Sequence, residues 1–246
     1  SEPSDRSEIV SQLLYGDHFQ IIEKSEKWFR IKMAYDGYEG WMDPKQLDYL
    51  DEEQYEKLDP FKAVLGLQVY HTATSWISNE SMNLLPGSSL PDYEDGRFGT
   101  KGREYVLDGA PVQPEPASFS SGVEAAAKFY LNSPYLWGGK TPFGIDCSGF
   151  TQVVFKQFGI RLQRDASQQA LQGSLVAFLQ EAVTGDLAFF DNEEGRITHV
   201  GIMLGNDNII HASGKVRIDP IDDQGIFNKE LNRYTHQLRV IKRYTF

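Results

Sequence analysis

The sequence predicts a multi-domain chain in which small all-β barrels precede an α+β domain. Three observations lead there. Residues 8–50 divide into short strand-like pieces separated by turn residues. Residues 111–116 (Pro-Val-Gln-Pro-Glu-Pro) form a stiff connector. The stretch beyond it sets a helical pattern beside short alternating strands. Boundaries follow at 1–54, 55–116 and 117–246.

In the first segment, strands are expected at residues 9–14, 19–23 and 28–33, separated by Tyr15-Gly16-Asp17 and closed by Asp36-Gly37. An acidic run, residues 51–57, leads to the second segment. There, residues 63–70 and 103–107 read as strands around a loop rich in Gly, Pro and Ser. Beyond the connector, Ser120 or Ser121 is placed to cap a helix that runs to Leu131 and stops at Asn132-Ser133-Pro134. Gly144-Ile145-Asp146 then leaves a Gly/Pro loop. Phe150, Val153 and Val154 give the following residues one apolar helical face, so Cys147 opens a helix. Two strands are expected at 198–204 and 208–213, joined by a turn at Gly205-Asn206-Asp207.

Composition narrows the function. Lys and Arg total 24 against 35 Asp and Glu, a net charge of −11, and no stretch concentrates cations, so nucleic acid is excluded as a partner. Apolar runs such as Leu187-Ala188-Phe189-Phe190 are far too short to span a bilayer. The polar start, Ser1-Glu2-Pro3-Ser4, has the look of what remains after a signal peptide is removed. Periplasm or cell envelope is therefore the expected location, with cytoplasm as the alternative, and the chain is expected to act as a monomer.

A single cysteine cannot form an internal disulfide, so Cys147 is either inert packing or a reagent. A helix start favours the reagent, because unpaired N–H groups and the positive dipole end stabilise a thiolate. Asp146 opposes that and calls for another reason, N-capping or a cationic substrate group. A nucleophilic thiol needs a base. Of the five histidines, His199 and His211 fall on the two predicted strands, where one sheet face can bring one to the thiol and the other behind it. Each is equally compatible with an ordinary satisfied strand histidine. Two imidazoles and one thiol at these separations lack zinc-motif spacing, so no metal and no cofactor are expected.

Asp36-Gly37-Tyr38-Glu39-Gly40-Trp41-Met42, together with Leu14-Tyr15-Gly16-Asp17 and Trp28, resembles the motifs of bacterial SH3-like (SH3b) domains. The second segment is expected to be a more divergent unit of the same kind. In the last segment six motifs follow in order: Tyr135-Leu136-Trp137-Gly138-Gly139, Asp146-Cys147-Ser148-Gly149-Phe150, Arg164-Asp165-Ala166-Ser167-Gln168-Gln169, Gly185-Asp186-Leu187-Ala188-Phe189-Phe190, His199-Val200-Gly201-Ile202 and Ile210-His211-Ala212-Ser213. They resemble NlpC/P60 peptidases. The resemblance implies a papain-like α+β core with a Cys-His-His triad that cuts murein peptides between γ-D-glutamate and an L-diamino acid. By that resemblance Cys147 is the nucleophile, His199 the general base and His211 its orienting partner. Tyr135 would donate to the oxyanion with the backbone N–H of Cys147.

An SH3b unit before this core is similar to the dipeptidyl-peptidase VI type of the family, which acts on peptides such as L-Ala-γ-D-Glu-diamino acid with a free L-alanine end. The similarity implies that Asp17, Tyr38 and Asp165 hold the ammonium, with Asp146 and Ser148 nearer the D-glutamate. This chain has Ala166 where a serine often follows the aspartate, and Asp17 where a glutamate often follows Tyr-Gly. Two other readings of the same motifs stay open: a peptidoglycan-binding module with a degenerate catalytic domain, and a related thiol acyltransferase.

Overall fold

The computed structural model describes residues 2–100 and 102–244. The chain forms two compact units, Ser1–Pro114 and Glu115–Phe246.

The amino-terminal unit holds two antiparallel sheets. Strands β1 (Phe19–Lys24), β2 (Phe29–Met33) and β3 (Glu39–Met42) pair in sequence order. A short helix, α1 (Glu52–Lys57), follows, its start closed by a capping box between Asp51 and Gln54. Strands β4 (His71–Ser75), β5 (Ser81–Leu84), β6 (Arg97–Thr100) and β7 (Arg103–Leu107) form the second sheet in the order β5-β4-β7-β6.

Tyr15 leaves the first segment to pack on the core of the second, with ring centroids 5.6 Å from Phe98 and 6.1 Å from Tyr105. The same docking explains why residues 9–14 are not a strand. The Tyr15 carbonyl accepts from Ser89 N–H at 3.0 Å, and the Leu14 N–H goes to Asp17 Oδ2 at 2.9 Å, so the end of this segment is held in a turn and not in a ladder. Gly16 has a positive φ of 77°, and a Cβ there would fall 2.0 Å from the Ser89 carbonyl oxygen. Residues 63–70 also form no strand. Val64 bridges Ser89 and Val112, after which Gly66 turns the chain, its carbonyl accepting from Gln68 N–H and contacting the His71 ring.

The carboxy-terminal unit begins with α2 (Phe119–Phe129). The helix starts before Ser120 and Ser121, because Phe119 and Val123 pull its first turn into the core. The two-residue strands β8 (Lys140–Thr141) and β9 (Gly144–Ile145) form a hairpin that delivers the chain to α3 (Cys147–Lys156). A short helix α4 (Ala166–Gln169) follows. Then come β10 (Ser174–Val176), β11 (Leu187–Asp191), β12 (Ile197–Met203), β13 (Asn208–Ser213), β14 (Lys215–Asp222), β15 (Gly225–Asn228) and β16 (Arg233–Arg243). Their order is β10-β16-β11-β12-β13-β14-β15, and β15 also pairs with β16. Six antiparallel strands therefore close on themselves, which leaves no open edge among them.

Period-two alternation divides each strand between two environments. Ala188, Phe190, Met203, Ile209, Ile221, Ile226 and Ile241 join one apolar cluster. Leu187, Phe189, Val200, Ile202, Ile210 and Ala212 point the other way and are equally buried, and α3 packs on β12 and β13. The helix is buried on every side, so its polar groups need partners. Thr151 Oγ1 donates to Gln169 Oε1 at 2.8 Å, and Gln152 Nε2 donates to the Leu162 carbonyl at 3.0 Å. No helix of the described residues is long and apolar enough to cross a membrane.

Candidate active site

Cys147 is the first residue of α3, where the sequence placed it, and is only 6% exposed. Two features hold that helix start. Asp146 caps it, accepting from Gly149 N–H at 2.6 Å and from Gly138 N–H at 2.8 Å. Gly149 lets the helix approach the Gly138-Gly139 loop, since a Cβ there would lie 2.2 Å from the Gly139 carbonyl oxygen.

Asp146 was expected to serve both as cap and as a substrate contact. Its oxygens are already engaged: Arg164, 1% exposed, grips both, with Nη1 3.1 Å from Oδ1 and Nη2 2.7 Å from Oδ2. With Ser148 Oγ also 3.4 Å from Oδ1, the carboxylate anchors the loop and the helix start to Arg164. Ser148 is drawn into the same cluster, accepting from Arg164 Nη1 at 2.9 Å. Asp165 is the N-cap residue of α4, half-buried, with its backbone N–H on Gln168 Oε1 at 3.1 Å.

On the sheet, His199 lies two positions before Gly201 on β12, and Gly201 pairs with His211 on β13. The two histidines share a face, in the rows continued by Met203 and Ile209. Gly201 makes the room: a Cβ there would stand 2.8 Å from that of His211. His199 Nε2 and His211 Nδ1 are 2.8 Å apart. His211 Nε2 is 3.0 Å from Asp219 Oδ2 on β14, and Asp219 also takes Arg217 Nε at 2.6 Å and Nη2 at 3.0 Å. His199 is 6% and His211 1% exposed.

These contacts define the tautomers. Burial raises the Asp219 carboxyl, but hydrogen bonds from His211 and Arg217 outweigh it and hold the group below the usual carboxylate range. An ionised carboxylate only accepts, so His211 Nε2 carries the proton. Burial also pushes both His211 and His199 below the ordinary imidazole value, so both rings are neutral. Neutral His211 then offers a lone pair at Nδ1, His199 donates to it from Nε2, and His199 Nδ1 is left as the basic nitrogen.

The thiol differs from the sequence expectation. Burial first, and then Asp146, push Cys147 up to about 12, against the backbone N–H groups of Val200 and Ser148 and the charge of Arg164. The helix start alone does not make a thiolate here. The contact with Val200 N–H also puts Sγ against β12, one residue from His199. Tyr135, half-buried, is raised to about 12, by burial first and then by Cys147 and Asp146, so its phenol is near the same charge.

Asp17 and Tyr38 lie in the amino-terminal unit. Asp17 closes the turn to Leu14, and Tyr38 stands between β2 and β3 with its backbone N–H on Asp36 Oδ1 at 2.9 Å.

A profile described as the NlpC/P60 family matches residues 132–235, and one described as the bacterial dipeptidyl-peptidase Sh3 domain matches residues 1–47. The chain is 30% identical over 223 residues to a gamma-D-glutamyl-L-lysine dipeptidyl-peptidase of Bacillus subtilis, covering 83% of this chain and 72% of that protein. The chain belongs to the NlpC/P60 family. A Bacillus cereus protein, also called gamma-D-glutamyl-L-lysine dipeptidyl-peptidase, is 28% identical over 255 residues, 90% of this chain and 73% of that protein. The crystal structure of a Bacillus cereus NlpC/P60 family protein matches with a TM-score of 0.75 at 25% identity, covering 95% of this chain and 81% of that one.

In this NlpC/P60 site, sequence reasoning missed three side chains. Asp219 was findable, because Arg217 and Asp219 alternate on the strand after His211. Arg164 lies in the Arg164-Asp165 motif, in which the resemblance assigns a role only to Asp165. His236 on β16 had no local signal. Its ring stacks on His199 with centroids 4.2 Å apart and planes at 26°. His199, His211 and His236 each bring a ring nitrogen within 4.8 Å of the other two, a clustering that sequence spacing did not predict.

Proposed function

We propose that this protein is a cysteine peptidase that hydrolyses the bond between γ-D-glutamate and an L-diamino acid in murein peptides. The observation that carries the reading is the run Asp219, His211, His199 across β14, β13 and β12, with Sγ of Cys147 against the N–H of Val200, the residue next to His199. The names of the Bacillus relatives support the bond and the substrate class.

In the reaction, Sγ of Cys147 attacks the γ-carbonyl carbon as its proton passes to His199 Nδ1, because a thiol held up to about 12 does not ionise beforehand. The negative charge that develops on the carbonyl oxygen is met by the backbone N–H of Cys147 and the hydroxyl of Tyr135. As the C–N bond breaks, the imidazolium of His199 returns its proton to the leaving amine. Water, deprotonated by the same nitrogen, then cleaves the thioester and restores the thiol. Asp219 and His211 keep the basic nitrogen on the Cys147 side throughout.

Peptides with a free amino-terminal L-alanine are the preferred substrates, in keeping with the dipeptidyl designation of the relatives. Asp165 in the carboxy-terminal unit is the proposed partner of the ammonium, testable by Asp165→Asn. The test is mass spectrometry of the products from L-Ala-γ-D-Glu-diaminopimelate and its N-acylated form. Release of L-Ala-γ-D-Glu from the free peptide alone is expected. Equal cleavage of both forms overturns the ammonium contact, and an undiminished rate in Cys147→Ala overturns the mechanism.

A further inference from the structure

We propose that His199, His211 and His236 form a reversible site for a divalent transition ion of the zinc class, and that the bound ion switches the site off by holding the base in the wrong tautomer. The inhibitory part rests on His199 being the general base; the binding part does not.

The donor atoms are already gathered. One ring nitrogen from each histidine lies within 4.8 Å of the other two. His199 Nε2 and His211 Nδ1 face each other at 2.8 Å. His236 Nδ1 is 2.9 Å from Thr235 Oγ1, which leaves Nε2 as the nitrogen that ring can offer. A tetrahedral zinc ion bound at about 2.0–2.1 Å spaces its ligand atoms by about 3.3 Å. The His199–His211 pair has to part by about half an ångström, and the widest pair has to close by about 1.5 Å. His236 is the partly exposed member of the trio and the one with freedom to make that movement.

The surroundings suit a metal. His211 backs onto the Asp219 carboxylate through its far nitrogen, the arrangement that orients a metal-ligating imidazole and raises its basicity. Three neutral imidazoles select zinc, cobalt, nickel or copper over magnesium or calcium, which take oxygen ligands.

The consequence follows from proton count. Neutral His199 carries one ring proton, on Nε2 in the active tautomer. An ion at Nε2 takes that lone pair, so the proton moves to Nδ1, and the nitrogen facing the thiol becomes a donor. The ring loses no proton, and Cys147 is not a ligand.

Cobalt(II), a spectroscopic stand-in for zinc, reads the site directly. The full chain, stripped with chelator, is titrated with cobalt(II) by visible absorption and with zinc by calorimetry, alongside zinc inhibition of peptide turnover. One ion per chain is expected, bound equally by Cys147→Ser. His236→Phe keeps an aromatic ring on His199, and His236→Gln keeps a polar side chain; both are expected to bind at least tenfold more weakly. Each is expected to need at least tenfold more zinc for half-inhibition of its own basal rate. Binding unchanged in both His236 variants, or lost in Cys147→Ser, overturns the proposal. The absorption and calorimetry need no turnover, so an inactive protein that still binds one ion through His236 refutes the peptidase reading and not the site.

Discussion

Asp219 Oδ2 lies 3.0 Å from His211 Nε2, and this contact decides which nitrogen of a different residue, His199, can act as a base. The carboxylate accepts, His211 therefore presents a lone pair forward, and His199 must donate to it from Nε2. Basicity is delivered to Nδ1 without Asp219 approaching the thiol.

Asp219→Asn tests this relay. The amide can donate to His211 Nε2, which reverses both tautomers and puts a proton on His199 Nδ1. We expect kcat to fall by about 10²–10⁴-fold with KM little changed. Steady-state kinetics on a murein tripeptide measures it, and a loss confined to KM would point to a binding role for Asp219 instead.

The pH profile follows from the neutral pair. His199 is held well below the ordinary imidazole value by burial, then by His211 and His236, so the base stays unprotonated to acid pH. The acid limb of kcat/KM is expected below pH 6.5, the ordinary histidine value. Cys147 is raised to about 12, so iodoacetamide should label the free enzyme slowly at neutral pH and faster as pH rises. A labelling rate that is high and flat between pH 6 and 8 would mean a pre-formed thiolate and contradict the arrangement.

Folding stability should weaken in acid. His199, His211 and His236 all have folded values below the ordinary one. Between the folded and unfolded values the unfolded chain binds more protons, so stability rises with pH there and is lost as pH falls below about 6.5. Each histidine contributes a slope of up to about 1.4 kcal/mol per pH unit in that window. Urea unfolding at pH 7, 6 and 5 measures the slope; a flat trend would mean that the rings titrate alike in the folded and unfolded chain, and an opposite one that the fold keeps them protonated.

Arg164 and Asp146 form a buried bidentate pair, 1% and 7% exposed at their side chains. Arg164→Ala strands the carboxylate that caps α3, at an expected cost of about 3–5 kcal/mol. Arg164→Met combined with Asp146→Ala removes the stranded charge and should recover part of that loss. Thermal or urea unfolding of the single and double variants reads the difference, and additive losses would mean the pair is not coupled.

Features encoded in a few consecutive residues were legible in the sequence. The hairpin holding His199 and His211, the helix opened by Cys147 and the proline connector all appear where patterning put them, because period-two alternation, a cap and fixed φ angles act locally. Legibility failed where distant chain decides the outcome. Residues 9–14 and 63–70 have strand-like composition, but the first runs into Tyr15, which docks on Ser89 and Tyr105, and the second pairs only at Val64, with Ser89 and Val112.

In the site, the sequence by itself placed Cys147 at a helix start and His199 and His211 on adjacent strands, and only the resemblance of its motifs to NlpC/P60 peptidases gave those three residues roles. Only the tertiary structure decided their protonation. The closed sheet carries Asp219 and His236 to the two imidazoles, and burial raises the thiol where the helix start alone favours a thiolate. Desolvation and hydrogen-bond direction depend on everything packed around a group, and that packing is assembled from strands far apart in the chain.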